Sequence, residues 1–307
     1  MRRFLKYTSL FAAMVIAALL AGEYIITLQP NPYSCKHRWM AGNASSVECL
    51  VLGSSHTFYG IDPAHIGYRT FNMANVSQNF EYDNILLRKY APQCVNLHTV
   101  VIPVSYFSLF DKDLENGGES WLVTNYEKYM DTGLYPFCSR YKFELSHFPM
   151  YRNKLKGILK GVQPVECDTN GFGIGYSVER RSSNWKDDVH IAVERHTAPD
   201  AGMLEYNTGH LCRILDYCRE MGLRAVLVTT PVWHGYHEAL DSVQLEKMYA
   251  VAGMLVAKYG VEYYDFMCDG RFADDDFFDG DHLSTGGAAK FSKILSAILI
   301  DNKTRDR

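Results

Sequence analysis

Two short segments near opposite ends of the chain carry residue types suited to nucleophilic chemistry. The first is Val51-Leu52-Gly53-Ser54-Ser55-His56, where an apolar run stops at a glycine and two serines follow. A serine just past a buried strand sits at the carboxyl edge of a parallel sheet, and glycine lets the turn tighten. If the turn opens a helix, free backbone N–H groups face whatever binds Ser55 Oγ. The second segment is Asp279-Gly280-Asp281-His282-Leu283-Ser284, just ahead of a closing helix. Asp279 and His282, three apart on a turn, can share one side of the backbone. The carboxylate then holds Nδ1–H and leaves Nε2 free as a base. Each segment also has a plainer explanation: Gly-Ser-Ser turns are common in loops, and Asp281 or Ser284 can simply cap the last helix. The acidic run Asp274, Asp275 and Asp276 lacks the alternating-oxygen spacing and closing Glu of a calcium loop. Neither a metal nor another cofactor is expected.

The elements that must position these residues are legible. Short apolar strands are expected at Glu48 to Gly53, Arg69 to Met73, Leu97 to Val104, Ala225 to Thr230 and Val261 to Asp265. Helical periodicity covers Tyr82 to Tyr90, Glu205 to Met221, Leu240 to Tyr259 and Thr285 to about Ile300. Gly222 and Gly260 stop two of these helices before a strand. Strands alternating with helices predict an α/β fold, three-layered around a mainly parallel sheet, spanning 48–300. Ligands bind such sheets beyond the carboxyl ends of the strands, which draws Ser55 and His282 to one edge. Residues 109–198 fit the alternation poorly and contain a basic helical patch from Tyr151 to Lys160. They read either as an insertion or cap over the active edge, or as elaborated crossover structure. Trp233-His234-Gly235-Tyr236-His237 follows the fourth strand, and an aromatic–histidine loop there suits sugar stacking. His56 is a further candidate for substrate contact or for a supporting polar role.

The N-terminus carries Arg2, Arg3 and Lys6, then an apolar stretch that reaches Leu28 with only Glu23 interrupting it. That length can cross a membrane, with the short tail cytoplasmic and the remainder outside. A cleaved signal peptide is the competing explanation, because Ala21-Gly22 offers a mediocre cleavage site. We take 1–29 as an uncleaved anchor, since apolar character continues past that point. Residues 30–47, rich in Pro, Gly, Asn and Ser, read as a linker. The net charge of −4 comes without any basic stripe in the body, which sets nucleic-acid binding aside. The eight cysteines form no CxxC pair or zinc-like cluster. Cys49, Cys212 and Cys218 lie in apolar patterns and read as core. Cys35, Cys138, Cys167 and Cys268 lie in loop-like sequence and are the better bridge candidates.

Gly53-Ser54-Ser55 early, with Asp279-x-x-His282 before a final helix, resembles the SGNH (GDSL-like) hydrolase superfamily, whose sheet is flavodoxin-like. Leu52 to Thr57, Phe71 to Asn75 and Asp281-His282-Leu283-Ser284-x-x-Gly287-Ala288 are similar to its membrane-anchored branch. That branch includes the D-alanyl transfer proteins of teichoic acid modification and the alginate O-acetylation proteins. The resemblance implies Ser55 as nucleophile, His282 as base and Asp279 as its orienting carboxylate. It implies an oxyanion hole from the Ser55 amide and a donor of the second block, where Gln78 stands in place of the family's glycine. The asparagine usual after the third strand is missing from Pro103-Val104-Ser105-Tyr106-Phe107, leaving Ser105 or Asn75 as substitutes. An uncompensated oxyanion donor is worth roughly 10²–10³ in rate.

The expected function is therefore an extracytoplasmic, membrane-anchored serine esterase or O-acyltransferase acting on acyl esters of cell-envelope glycans. The resemblance further implies a polytopic membrane acyltransferase as partner. The competing class is a weakly active or inactive module that binds glycan or assists such an acyltransferase.

Overall fold

The computed structural model describes residues 1–162 and 166–301 of the chain. Among them two units are distinguished: residues 1–34 with 114–162, and residues 35–113 with 166–301. The second holds a five-stranded sheet of β1 (Cys49–Val51), β2 (Thr70–Asn72), β3 (Thr99–Pro103), β6 (Arg224–Thr229) and β7 (Glu262–Asp265). A separate antiparallel pair is formed by β4 (Glu166–Cys167) and β5 (Gly173–Ile174). All pairings in the large sheet are parallel, in the order β2-β1-β3-β6-β7. That is the flavodoxin-like order, whose chain direction switches between β1 and β3 and opens a crevice at their carboxyl ends.

The core follows from alternation along the strands. Cys49, Val51, Val101, Val226 and Val228 share one buried cluster with Phe291, Leu295 and Leu299 of α11 (Thr285–Asp301). Elsewhere in this unit α8 (Leu204–Glu220) packs on β6, on α4 (Phe80–Tyr90) and on α10 (Ser242–Tyr259). Asn79 caps α4 by accepting from the Tyr82 amide, and Asp241 caps α10 by accepting from Gln244. Gly260 ends α10 in the left-handed conformation at φ 65°. Shorter helices are α3 (Ser55–Phe58), α7 (Val189–His196) and α9 (His234–Glu238).

Three expectations need correction. Residues 30–47 are not a turn-rich linker, because α2 (Pro32–Asn43) occupies most of them. Pro32 stands at its first position, where a missing N–H costs nothing. The segment from 109 to 198 divides: 114–162 groups with the N-terminal helix, whereas 166–198 belongs with the sheet. Residues 163–165 of that segment lie outside the described residues. Cys49 and Cys218 are buried as expected, but Cys212 is only half-buried. All eight cysteines, including the four bridge candidates, stand as free thiols.

The first unit comprises α1 (Arg2–Thr27), α5 (Leu122–Tyr129) and α6 (Phe148–Leu159), with short 3₁₀ turns between the last two. Helix α1 is long and apolar enough to cross a membrane. Glu23 interrupts it, and its carboxylate accepts from the backbone N–H groups of Glu144 at 3.0 Å and Leu145 at 2.9 Å and pairs with Lys128.

Candidate active site

Strand β1 delivers Ser55 through a turn that only glycine can make. Gly53 has φ 114°, and a Cβ there would run into the Pro103 ring and Thr57 Oγ1. Its N–H donates to Asp83 Oδ1 at 2.8 Å, and Gln78 Nε2 donates to the same oxygen at 2.7 Å. Burial pushes the Asp83 carboxyl up to about 7, against the pull of these two donors. The Asn72 side-chain amide donates to the Thr57 and Ile61 carbonyls at 2.8 and 2.9 Å, tying α3 to the end of β2.

Ser55 and His282 meet at this edge. Ser55 Oγ lies 2.8 Å from His282 Nε2, and His282 Nδ1 lies 3.0 and 3.2 Å from the two Asp279 oxygens. Asp279 Oδ1 also accepts from the backbone N–H of Asp281 at 3.1 Å and of His282 at 2.8 Å, so the turn itself orients the carboxylate. Ser284 caps α11 by accepting from the Gly287 amide at 3.1 Å, which leaves Asp281 free of that duty.

Asp281 is not a helix cap but a buried partner of the histidines. It is 2 % exposed, and its Oδ2 lies 3.4 Å from His282 Nδ1 and 3.2 Å from His56 Nε2. Arg195 and His196 approach the same oxygen at 3.8 and 3.9 Å. Burial opposes ionisation of Asp281, yet the surrounding histidines outweigh it and hold the carboxyl well below its usual range. For His282, burial works to lower the pKa, but the Asp281 and Asp279 carboxylates overcome it and push the imidazole up to about 9. His56 and His196 go the other way: burial lowers both, His196 to about 3. The cluster therefore concentrates positive charge on the imidazole that faces Ser55. Nothing in the local sequence around Arg195-His196 signals this convergence, since α7 is far away along the chain. His56, Asp281 and His282 also lie close enough to share a single metal ion.

The remaining candidates are distributed unevenly. His56 is buried against Asp281 and the edge of Phe107, so its ring faces inward rather than toward a substrate. The Asn75 amide donates to the Gln78 Oε1 at 2.9 Å, and Gln78 is held by Asp83 in turn. The Gln78 backbone N–H donates to the Asn75 carbonyl at 3.2 Å. These second-block donors are committed internally, which the sequence spacing does not reveal. Asn75 Oδ1 is buried with no hydrogen-bond partner among the described residues. Ser105 is buried just past β3, where its backbone and Ser108 close a turn. Trp233 and His234 line a surface cavity of about 710 Å³ with Phe272 and Phe277. The Trp233 indole N–H donates to Asp274 Oδ1 at 2.9 Å, and Lys186 pairs with the same carboxylate. Arg181 binds Asp275 and Lys290 binds Asp276, so the acidic run serves as structural pairing.

No protein-family model and no curated protein matches this sequence. Solved structures similar in fold include a candidate acylhydrolase from Bacteroides fragilis, with 12 % identity and TM-score 0.41 over 87 % of this chain and 95 % of that one. A GDSL-like lipase from Bacteroides thetaiotaomicron follows at 10 % identity and TM-score 0.39, over 86 % and 98 %. A carbohydrate acetylesterase family member from Sinorhizobium meliloti has 13 % identity and TM-score 0.32, over 82 % and 97 %. The functional reading rests instead on side-chain geometry.

Proposed function

We propose that the protein is an SGNH-type serine enzyme of the membrane-anchored branch, transferring acyl groups from or to cell-envelope glycans outside the cell. The observation that carries this is the continuous chain Ser55 Oγ–His282 Nε2, His282 Nδ1–Asp279, at 2.8 and 3.0 Å. In that arrangement Ser55 Oγ attacks an acyl carbonyl while neutral His282 takes its proton. The imidazolium, stabilised by Asp279 and Asp281, then protonates the departing alkoxide. Water or a sugar hydroxyl, deprotonated by His282, attacks the acyl-enzyme and releases Ser55. The Ser55 amide, at the start of α3, is the first oxyanion donor. The Ser105 hydroxyl, two residues past β3, is the second, because the Asn75 amide is engaged by Gln78, the Gln78 amide by Asp83 and the Ser105 N–H by Ser108.

Esterase and O-acyltransferase differ only in the acceptor. Trp233 and His234, beside the cavity that follows β6, are the candidate glycan contacts. Helix α1 supports anchoring at the membrane, where a polytopic acyltransferase could supply the acyl group. The alternative, a module of little turnover that binds glycan for such a partner, draws on the upward pull on His282, which leaves the base protonated at neutral pH.

Acetylated and deacetylated glycans presented to the full-length protein separate these readings. Ser55-dependent acetate release supports an esterase, and Ser55-dependent acetyl gain on a hydroxyl supports a transferase. Binding without either, from folded protein across pH 6 to 10, sinks the enzymatic proposal.

A further inference from the structure

The basic helical patch noted in the sequence is α6, and the proposed active site makes no use of it. Its packing onto α1 has a definite direction. The amides of Glu144 and Leu145 meet Glu23, whereas the Tyr151 hydroxyl, seven residues past Glu144, donates to the Leu19 carbonyl at 2.8 Å. Tyr151 and Leu155 also sit directly against Gly22, where a Cβ would not fit. From Glu144 to Tyr151 the contacts thus step back along α1, toward the segment that crosses the membrane under the anchoring proposal.

The height of this junction follows from helix geometry. The apolar run from Tyr7 to Gly22, preceded by Lys6, rises roughly 24 Å at 1.5 Å per residue, which spans most of the ~30 Å of a hydrocarbon core with the Lys6 stem snorkelling at the other face. Glu23, gripped by Lys128 and two backbone amides, then lies just past the boundary. Helix α6 starts from that level, and its outward side is amphipathic. Phe148 and Leu159, eleven residues apart and so on one helical stripe, are 54 and 86 % exposed, and Val162, just past the helix end, is 62 % exposed. Arg152, Lys156 and Lys160 are exposed among them. Apolar residues flanked by cations on a helix beside a spanning segment match an interfacial site on an anionic membrane.

We propose that α6 is an interfacial helix that lies in the headgroup region next to α1, with Phe148, Leu159 and Val162 dipping toward the acyl chains. The lipid surface is its partner, and lysine stems reach up to phosphates. Together with the clamp on Glu23, this makes residues 114–162 a collar around the outer end of α1. The inference rests on the reading of α1 as a retained anchor.

Photocrosslinking of the full-length protein in nanodiscs of phosphatidylethanolamine and phosphatidylglycerol tests it. The photoreactive residue p-benzoylphenylalanine replaces Ile16 in the span, or Leu159 or Val162 in the collar. Lipid adducts are expected at all three positions. The combined substitution Lys156→Glu and Lys160→Glu should lower the Leu159 adduct several-fold while leaving the Ile16 adduct unchanged. Lipid at Ile16 with none at Leu159 and Val162 overturns the interfacial seat but leaves the anchor standing. Protein adducts at Leu159, formed with a co-reconstituted membrane extract in place of lipid adducts, overturn it in favour of a protein partner. Failure at Ile16 removes the anchor and the proposal with it.

Discussion

Ser55, His282 and Asp279 form a connected chain, but the charge on the imidazole is governed as much by Asp281 behind it. If His282 accepts the Ser55 proton, kcat/KM should rise with pH through a limb near 9, where the imidazole loses its proton. Asp281→Asn removes one of two carboxylates that hold that proton, so the limb should move down toward the ordinary histidine value. An unshifted limb in Asp281→Asn would refute the electrostatic role assigned to that carboxylate. The same elevation has a stability consequence of fixed sign. A folded-state pKa near 9 against an ordinary value near 6.5 stabilises fully below pH 6.5, and that contribution is lost as pH rises through 9. It amounts to on the order of 3 kcal/mol at most at 1.36 kcal/mol per pKa unit. The pH dependence of chemical denaturation should therefore differ between wild type and His282→Gln over that window and converge above it. Asp279→Asn disturbs the tautomer rather than the fold, and a loss on the order of 10⁴ in kcat is expected by analogy with other serine triads. Ser55, Asp279 and His282 were readable because a turn residue and an i,i+3 pair are local signals. Asp281 was not, since its partners His56 and His196 come from distant parts of the chain.

At the level of elements, the five sheet strands match their expected places to within one or two residues at each end. Apolar runs bounded by turns, with glycines at the helix stops, dictate them locally. What could not be read was the use to which loops put their polar groups. The resemblance makes Gln78 and Asn75 candidate oxyanion donors, but the buried Asp83 claims the Gln78 side chain, and Gln78 claims Asn75. Helix α2 was missed because Pro32 and Gly42 read as turn residues, although the first falls at a helix start and the second near the helix end. The Gly53 turn is the most sensitive joint between β1 and α3. Gly53→Ala should destabilise by about 1–3 kcal/mol from backbone strain alone, with further cost from the contact with Pro103. A denaturation midpoint unchanged by this substitution would contradict the geometry given for the turn. Asp83→Asn, by contrast, should preserve both donor contacts through its remaining carbonyl oxygen. It would also relieve the burial of an ionisable group, so the stability that the wild type loses as pH rises from about 4 through 7 should not be lost in the variant.

Over the whole molecule, the N-terminal helix is tied to residues 114–162 by Glu23, Gly22 and Leu19. Cleavage at Ala21-Gly22 would cut through those contacts, which favours retention of the helix. Mass spectrometry of protein purified from membranes should therefore recover peptides that include Leu19 and Gly22, and the protein should resist carbonate extraction. A mature terminus at Gly22 or Glu23 would contradict the anchor. The apolar length of α1 was plain in the sequence. Its clamp was hidden because Glu23 and Lys128 are brought together only by the fold of the intervening chain.

An activated Ser55 reacts with electrophiles that ordinary serines ignore. Incubating the full-length protein with a fluorophosphonate at pH 9, followed by peptide mapping, reads that reactivity. Stoichiometric adduct on Ser55, abolished by Ser55→Ala and strongly slowed by His282→Gln, is the predicted result. Folded wild-type protein that takes up no probe at Ser55, or labels as fast without His282, would contradict it.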